Sequence, residues 1–176
     1  MNAARVELKL VLDEVEISEL SLDTFSQRFN IQKRVYLIQL MGYDLGYRYG
    51  WYIKGPYCRH LTADAFTLRE ELAGGQRDYE GYKLSPQATD QIARAKNLWA
   101  LPNGLSIDSD HWLELLASIH YLKHIVYWPK GAKKDFDAIF KTLIESKPHF
   151  AHAKSAASQA WQRLDSFSLI TNKTLG

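Results

Sequence analysis

Apolar positions Val6, Leu10, Val11 and Val15 recur at intervals of four and five residues, which predicts a first helix over residues 3 to 15. The pattern breaks at residues 20 to 23. Asp23 there is expected to cap a short turn running through Phe29. Asn30 is expected to cap the next helix, in which Ile31, Val35, Leu37, Ile38, Leu40 and Met41 form an apolar stripe wide enough to be buried on more than one side. Gly42 should end that helix, because a left-handed residue usually closes a C-terminus. Residues 43 to 53 are aromatic and carry Gly46 and Gly50, which suits an extended segment or hairpin. Gly55-Pro56 then imposes a turn.

Leu61, Ala65, Leu68 and Leu72 share one face of a further helix, which Gly74-Gly75 terminates. Residues 78 to 84, DYEGYKL, read as a small hairpin or edge strand. Ser85 and Pro86 then supply the N-cap and first position of another helix. Beyond the loop at residues 102 to 104 the chain is helical: Trp112, Leu115, Leu116, Ile119, Leu122 and Val126 predict a buried helix over residues 108 to 127, stopped by residues 128 to 131. Phe136, Ile139, Phe140, Leu143 and Ile144 mark the next helix, and Ala153, Ala157, Ala160, Trp161 and Leu164 the last, with a loosely held tail from Ser168. This order predicts a mostly helical α+β fold. A winged-helix-like lobe over residues 1 to 101 would pack with a helical bundle over residues 102 to 176 as one compact unit.

The chain has 176 residues, 46% hydrophobic and 24% charged, which suits one sizeable core and argues against disorder. The lone Cys58 excludes an internal disulfide and fits a reducing compartment. Acidic residues interrupt the N-terminal segment where an export signal would be apolar, and no run approaches the ~18 apolar residues of a membrane span. A cytoplasmic protein with no membrane contact is the expectation. Net charge is only +2, but it is uneven: −4 over residues 1 to 27, +5 over residues 28 to 59 and +4 over residues 130 to 163. Such asymmetry suits either an anionic partner or internal charge matching.

Catalytic signatures are absent. His120 and His124 stand four apart and His149 and His152 three apart, but no glutamate follows His120 as a zinc-protease motif requires, so neither pair makes a metal site. Cys58 and His60 lack an orienting third group, there is no glycine-flanked serine elbow and no phosphate loop, and Asp108 and Asp110 sit where a helix start needs caps. The chain is therefore read as a non-enzyme without a cofactor.

The string QKRVYLIQLMGYDLGYRYGWYIKGPYCRHL, residues 32 to 61, resembles the YwgA-like family of prokaryotic proteins, in which a Gln-Lys-x-x-Tyr helix leads to an aromatic strand and a Gly-Pro-Tyr-Ser-x-x-Leu turn and helix. The likeness continues weakly through YKLSPQATDQI and WLELLASIHYL. More distantly the chain is similar to the Panacea domain of antitoxin proteins. The resemblance implies a winged-helix-like domain in a regulatory or antitoxin-type setting. Cys58 stands where the family carries serine, and a thiol is the weaker helix cap. Lys33, Tyr36, Trp51, Gly55, Pro56 and Tyr57 are read as architectural.

Two binding modes follow. A protein interface would use the tyrosines, with Tyr47, Tyr49 and Tyr82 as its candidates, because tyrosine buries area while keeping a polar handle. Nucleic-acid or other anion contact would use Lys54, Arg59, Arg77 and Lys83 around the turn and wing. The helix from Arg59, the natural DNA reader, also carries Asp64, Glu70 and Glu71, a poor match to phosphate. Protein contact or self-association therefore ranks ahead of sequence-specific DNA regulation, and an enzyme comes last.

Overall fold

The computed structural model describes residues 1–17 and 19–171. Among the described residues, seven helices and one two-stranded antiparallel hairpin make a mostly helical α+β chain. It divides into two compact units, residues 1–50 with 57–97, and residues 51–56 with 98–176. Among the described residues no helix is long and apolar enough to cross a membrane.

In the first unit, α1 (Ala3–Glu14) is capped by the Asn2 side chain, which accepts from the Arg5 amide, and the chain leaves it through Glu16 in the left-handed region at φ 64°. The next helix differs from the expected turn followed by a helix. A single helix, α2 (Phe25–Leu40), runs through both segments, because Thr24 and Gln27 satisfy each other's backbone amides in a capping box. Asp23 instead meets Arg69 at 3.3 Å, and Asn30 lies inside the helix, donating to the Ser26 carbonyl. Gly42 closes α2 at φ +94°, as its position implies.

Residues 43 to 49 are ordered by side chains rather than by a ladder. Asp44 accepts from the Gly46 amide, and Gln39 both donates to the Tyr47 carbonyl and accepts from its amide. The strands are short, β1 (Gly50–Tyr52) and β2 (Gly55–Tyr57). Helix α3 (Arg59–Ala73) starts at Cys58, whose thiol makes no cap. Gln32, buried in α2, takes over: its carbonyl oxygen accepts from the Cys58 amide at 2.8 Å, and its amide nitrogen donates to the Cys58 carbonyl and the Thr62 hydroxyl, each at 2.9 Å.

The hairpin expected over residues 78 to 84 is absent. Asp78–Gly81 is a 3₁₀ turn, in which the Glu80 and Tyr82 amides bond back three residues and are lost to any strand ladder. Helix α4 (Pro86–Trp99) then begins with Ser85 accepting from the Ala88 amide. Leu8, Leu12, Ile31, Val35, Tyr47, Cys58, Leu61 and Leu68 are among the buried residues of this unit's core.

The second unit is organised around α5 (Ser109–His124), in which every residue from Trp112 to Lys123 is buried, a helix enclosed all round rather than on one stripe. Asp108 caps it as expected, and it ends three residues short of the expected Tyr127. Helices α6 (Phe136–Ser146) and α7 (Lys154–Ser166) pack against it. Pro148 ends α6: the residue before a proline avoids helical geometry, and Lys147 leaves the helix at φ −138° while its amide still bonds the Leu143 carbonyl. Of the tail expected to be loose, Leu169 is tied by its amide to the Leu164 carbonyl and by its carbonyl to His124, while residues 172–176 lie outside the described residues.

Candidate interaction site

Residues 51 to 56 form the tip of the hairpin and belong to the second unit. Ile53 and Lys54 make its turn without adopting positive φ, and Gly55 follows at φ +83°, the left-handed residue that closes a three-residue hairpin loop. Turns favour glycine, asparagine and aspartate, so an isoleucine at the apex is chemically out of place. Ile53 is 85% exposed and its neighbour Tyr52 42% exposed.

The inner side of this tip is clamped. Trp51 stacks on Tyr121 of α5, with ring centroids 5.6 Å apart and planes 29° apart. Lys147, fully buried, donates to the Ile53 carbonyl, pairs with Glu114 of α5 at 3.0 Å and lies 5.0 Å from the centre of the Trp51 ring. Burial pulls the Lys147 pKa below its ordinary value, while Glu114 opposes the shift. Glu114 is itself almost fully buried and also faces Lys54 at 3.8 Å and His149 at 3.4 Å. One carboxylate thus gathers three basic groups, and one ammonium ties the hairpin backbone to the helical core. The result is a tip tied through its backbone to the helical core, with Ile53 turned to solvent and Tyr52 partly exposed beside it.

The sequence-expected interface residues are dispersed. Tyr47 is buried, its hydroxyl donating to Asp64 at 3.0 Å, and burial followed by that carboxylate raises its pKa. Tyr49 is packed edge-on against Tyr36 at 5.0 Å, and its hydroxyl points to the Gln32 carbonyl. Both tyrosines belong to the first unit's packing, because their hydroxyls find partners inside. Tyr82, 62% exposed, lines a cleft of about 630 Å³ with Lys83, Glu7 and Tyr43, whose hydroxyl donates to Glu7 at 2.7 Å.

Of the expected anion contacts, Lys54 turns toward Glu114, while Arg59 is exposed in the first turn of α3. Arg77 is exposed and lines a separate cleft with Lys9 and Arg69. Arg77 and Lys83 therefore stand on different clefts. On α5 His120 is buried, with its ring centroid 4.9 Å from that of the exposed His124, and burial, with a smaller effect from His124, drives the His120 pKa down to about 3. Among the described residues no group of three or more His, Cys, Asp or Glu is placed to hold a metal ion. Comparison with protein-family models, with curated proteins and with solved structures returned no match.

Proposed function

We propose that this chain is a non-enzymatic binding protein, of regulatory or antitoxin-like type, that engages a protein partner through the hairpin tip Tyr52-Ile53-Lys54. The observation that carries the reading is the pairing of an apolar apex with a buried clamp, since a partner gains most from anchors already fixed in their bound geometry. Burying an isoleucine side chain is worth about 1.5–3 kcal/mol, and Tyr52 adds an aromatic surface with a polar end. The regulatory setting follows the resemblance of residues 32 to 61 to the YwgA-like proteins, and a cytoplasmic location goes with it.

The helix–helix–hairpin–helix order of residues 3 to 73 supports a winged-helix-like reading of that part of the chain. DNA contact has less support. The expected wing after α3 is a 3₁₀ turn, and Lys54 is engaged by Glu114.

The test is co-purification of the tagged chain from cells that express it, beside Ile53→Asp. This variant changes only an exposed side chain, so its helical content and thermal midpoint should match wild type. Wild type is expected to retain a stoichiometric companion, or a second copy of itself, and Ile53→Asp to lose at least ~30-fold in affinity, about 2 kcal/mol. Equal retention by both chains refutes the proposal.

A further inference from the structure

Away from the hairpin, a cleft of about 320 Å³ in the first unit is lined by Lys9 of α1, Arg69 of α3, and Arg77 and Tyr79 of the turn that follows. Three of its lining residues are cationic, and Glu19 is its one acid. We propose that it binds the phosphoryl group of a small phosphorylated molecule, a function separate from protein contact at the hairpin.

Two side chains support an anion there. Lys9 is buried at the cleft wall, paired with Asp13, and its ammonium lies 4.8 Å from the centre of the Tyr79 ring. Burial strengthens the pull of this charge on an incoming anion, and Asp13 offsets part of it. Arg77 is preorganised: one Nη donates to both the Leu72 carbonyl at 3.0 Å and the Gln76 carbonyl at 2.8 Å, its Nε faces Glu80 at 3.9 Å, and its other Nη is left for a ligand.

The acids on the two arginines are loosely attached. Asp23, on Arg69 at 3.3 Å, has a side chain 80% exposed, and Glu80 lies 3.9 Å from Arg77 and is similarly exposed. Pairs of this kind contribute little and are readily exchanged for a multiply charged oxyanion that both guanidinium forks can grip. The volume falls at the low end for ligand sites, which suits a phosphoryl group with a small organic portion rather than an extended polymer.

Isothermal titration with inorganic pyrophosphate, at ionic strength held constant with sodium chloride, tests this on the full chain. Wild type should bind saturably. Arg69→Gln and Arg77→Gln, at partly exposed and exposed positions, should each weaken binding at least ten-fold, while Lys83→Gln, which removes a cation from the other cleft, should leave it unchanged. A duplex oligonucleotide serves as the second ligand. No saturable binding to wild type, equal weakening by all three variants, or binding of the oligonucleotide without pyrophosphate would each overturn the proposal.

Discussion

Replacing Lys147 by methionine keeps the apolar stem beside Trp51 and deletes the ammonium that holds Glu114 at 3.0 Å and the Ile53 carbonyl. Removing one member of a buried pair costs roughly 3–5 kcal/mol, because the other is left charged out of water. Glu114 keeps Lys54 at 3.8 Å and His149 at 3.4 Å, weaker partners that place the expected loss near the lower end, about 3 kcal/mol. The Ile53 carbonyl, at an exposed tip, finds water and adds little. With a urea dependence of about 1.5 kcal/mol per M, the midpoint should fall by roughly 2 M.

Tryptophan fluorescence is the right assay, since the tryptophans at 51, 112, 128 and 161 lie in the second unit and the fifth, Trp99, ends α4 where that unit begins. Adding Glu114→Gln to Lys147→Met removes the stranded charge and should recover at least half of the loss. A Lys147→Met loss under about 1 kcal/mol, or a double variant no more stable than the single, would show that this pair does not clamp the hairpin.

Acidification should destabilise the second unit through His120. Its folded pKa, about 3, lies below the unfolded value near 6.5, so the unfolded chain binds the extra proton and stability falls as pH drops through that window. Wild type should lose about 1.4 kcal/mol more than His120→Gln between pH 7.5 and 5.5, measured as urea midpoints; equal losses would place His120 in solvent. Gln32→Ala strips the Cys58 amide of its partner, while the Cys58 carbonyl keeps the Thr62 amide at 3.3 Å, for a cost of about 1–3 kcal/mol. Cys58 is the sole thiol, so the rate of its modification under native conditions should rise about 10- to 100-fold, and an unchanged rate would deny Gln32 its capping role. Gly42→Ala, at φ +94° with its new Cβ 2.9 Å from the Gln91 amide nitrogen, should cost about 1–2 kcal/mol by chemical denaturation. Ser118→Ala deletes a buried hydroxyl that has no hydrogen-bond partner among the described residues and should hold or raise stability, by up to about 1 kcal/mol by chemical denaturation.

Local chemistry was legible in the sequence where one element decides it. Gly42 and Gly74 end their helices, Ser85 and Asp108 cap theirs, and the apolar spacing found α3, α5, α6 and α7. The extent of α2 was missed because the Thr24 and Gln27 box lies before the apolar stripe begins, and Asp23 looked the better cap. The tyrosines of residues 78 to 84 suggested a strand, but aromatic content does not exclude a tight turn.

The hairpin clamp was not legible at all. Glu114 is 33 residues from Lys147, and Lys147 is 94 from Ile53. No spacing rule links such positions, and a glutamate in a helix reads as solvated until the helix proves to be enclosed all round. The same distance in sequence hid Gln32, 26 residues from Cys58. Tyr47 and Tyr49 were drawn to the interface by residue type, which cannot tell a tyrosine whose hydroxyl meets Asp64 or the Gln32 carbonyl from one facing water.

The claim that the hairpin apex is a recognition element is tested most directly by placing a photoreactive amino acid at Ile53 and irradiating intact cells, with Gln87, exposed on α4, as the comparison position. The account predicts one discrete adduct from position 53, composed of this chain and a single companion or a second copy, and none from position 87. No adduct from position 53, or the same diffuse products from both, would contradict it.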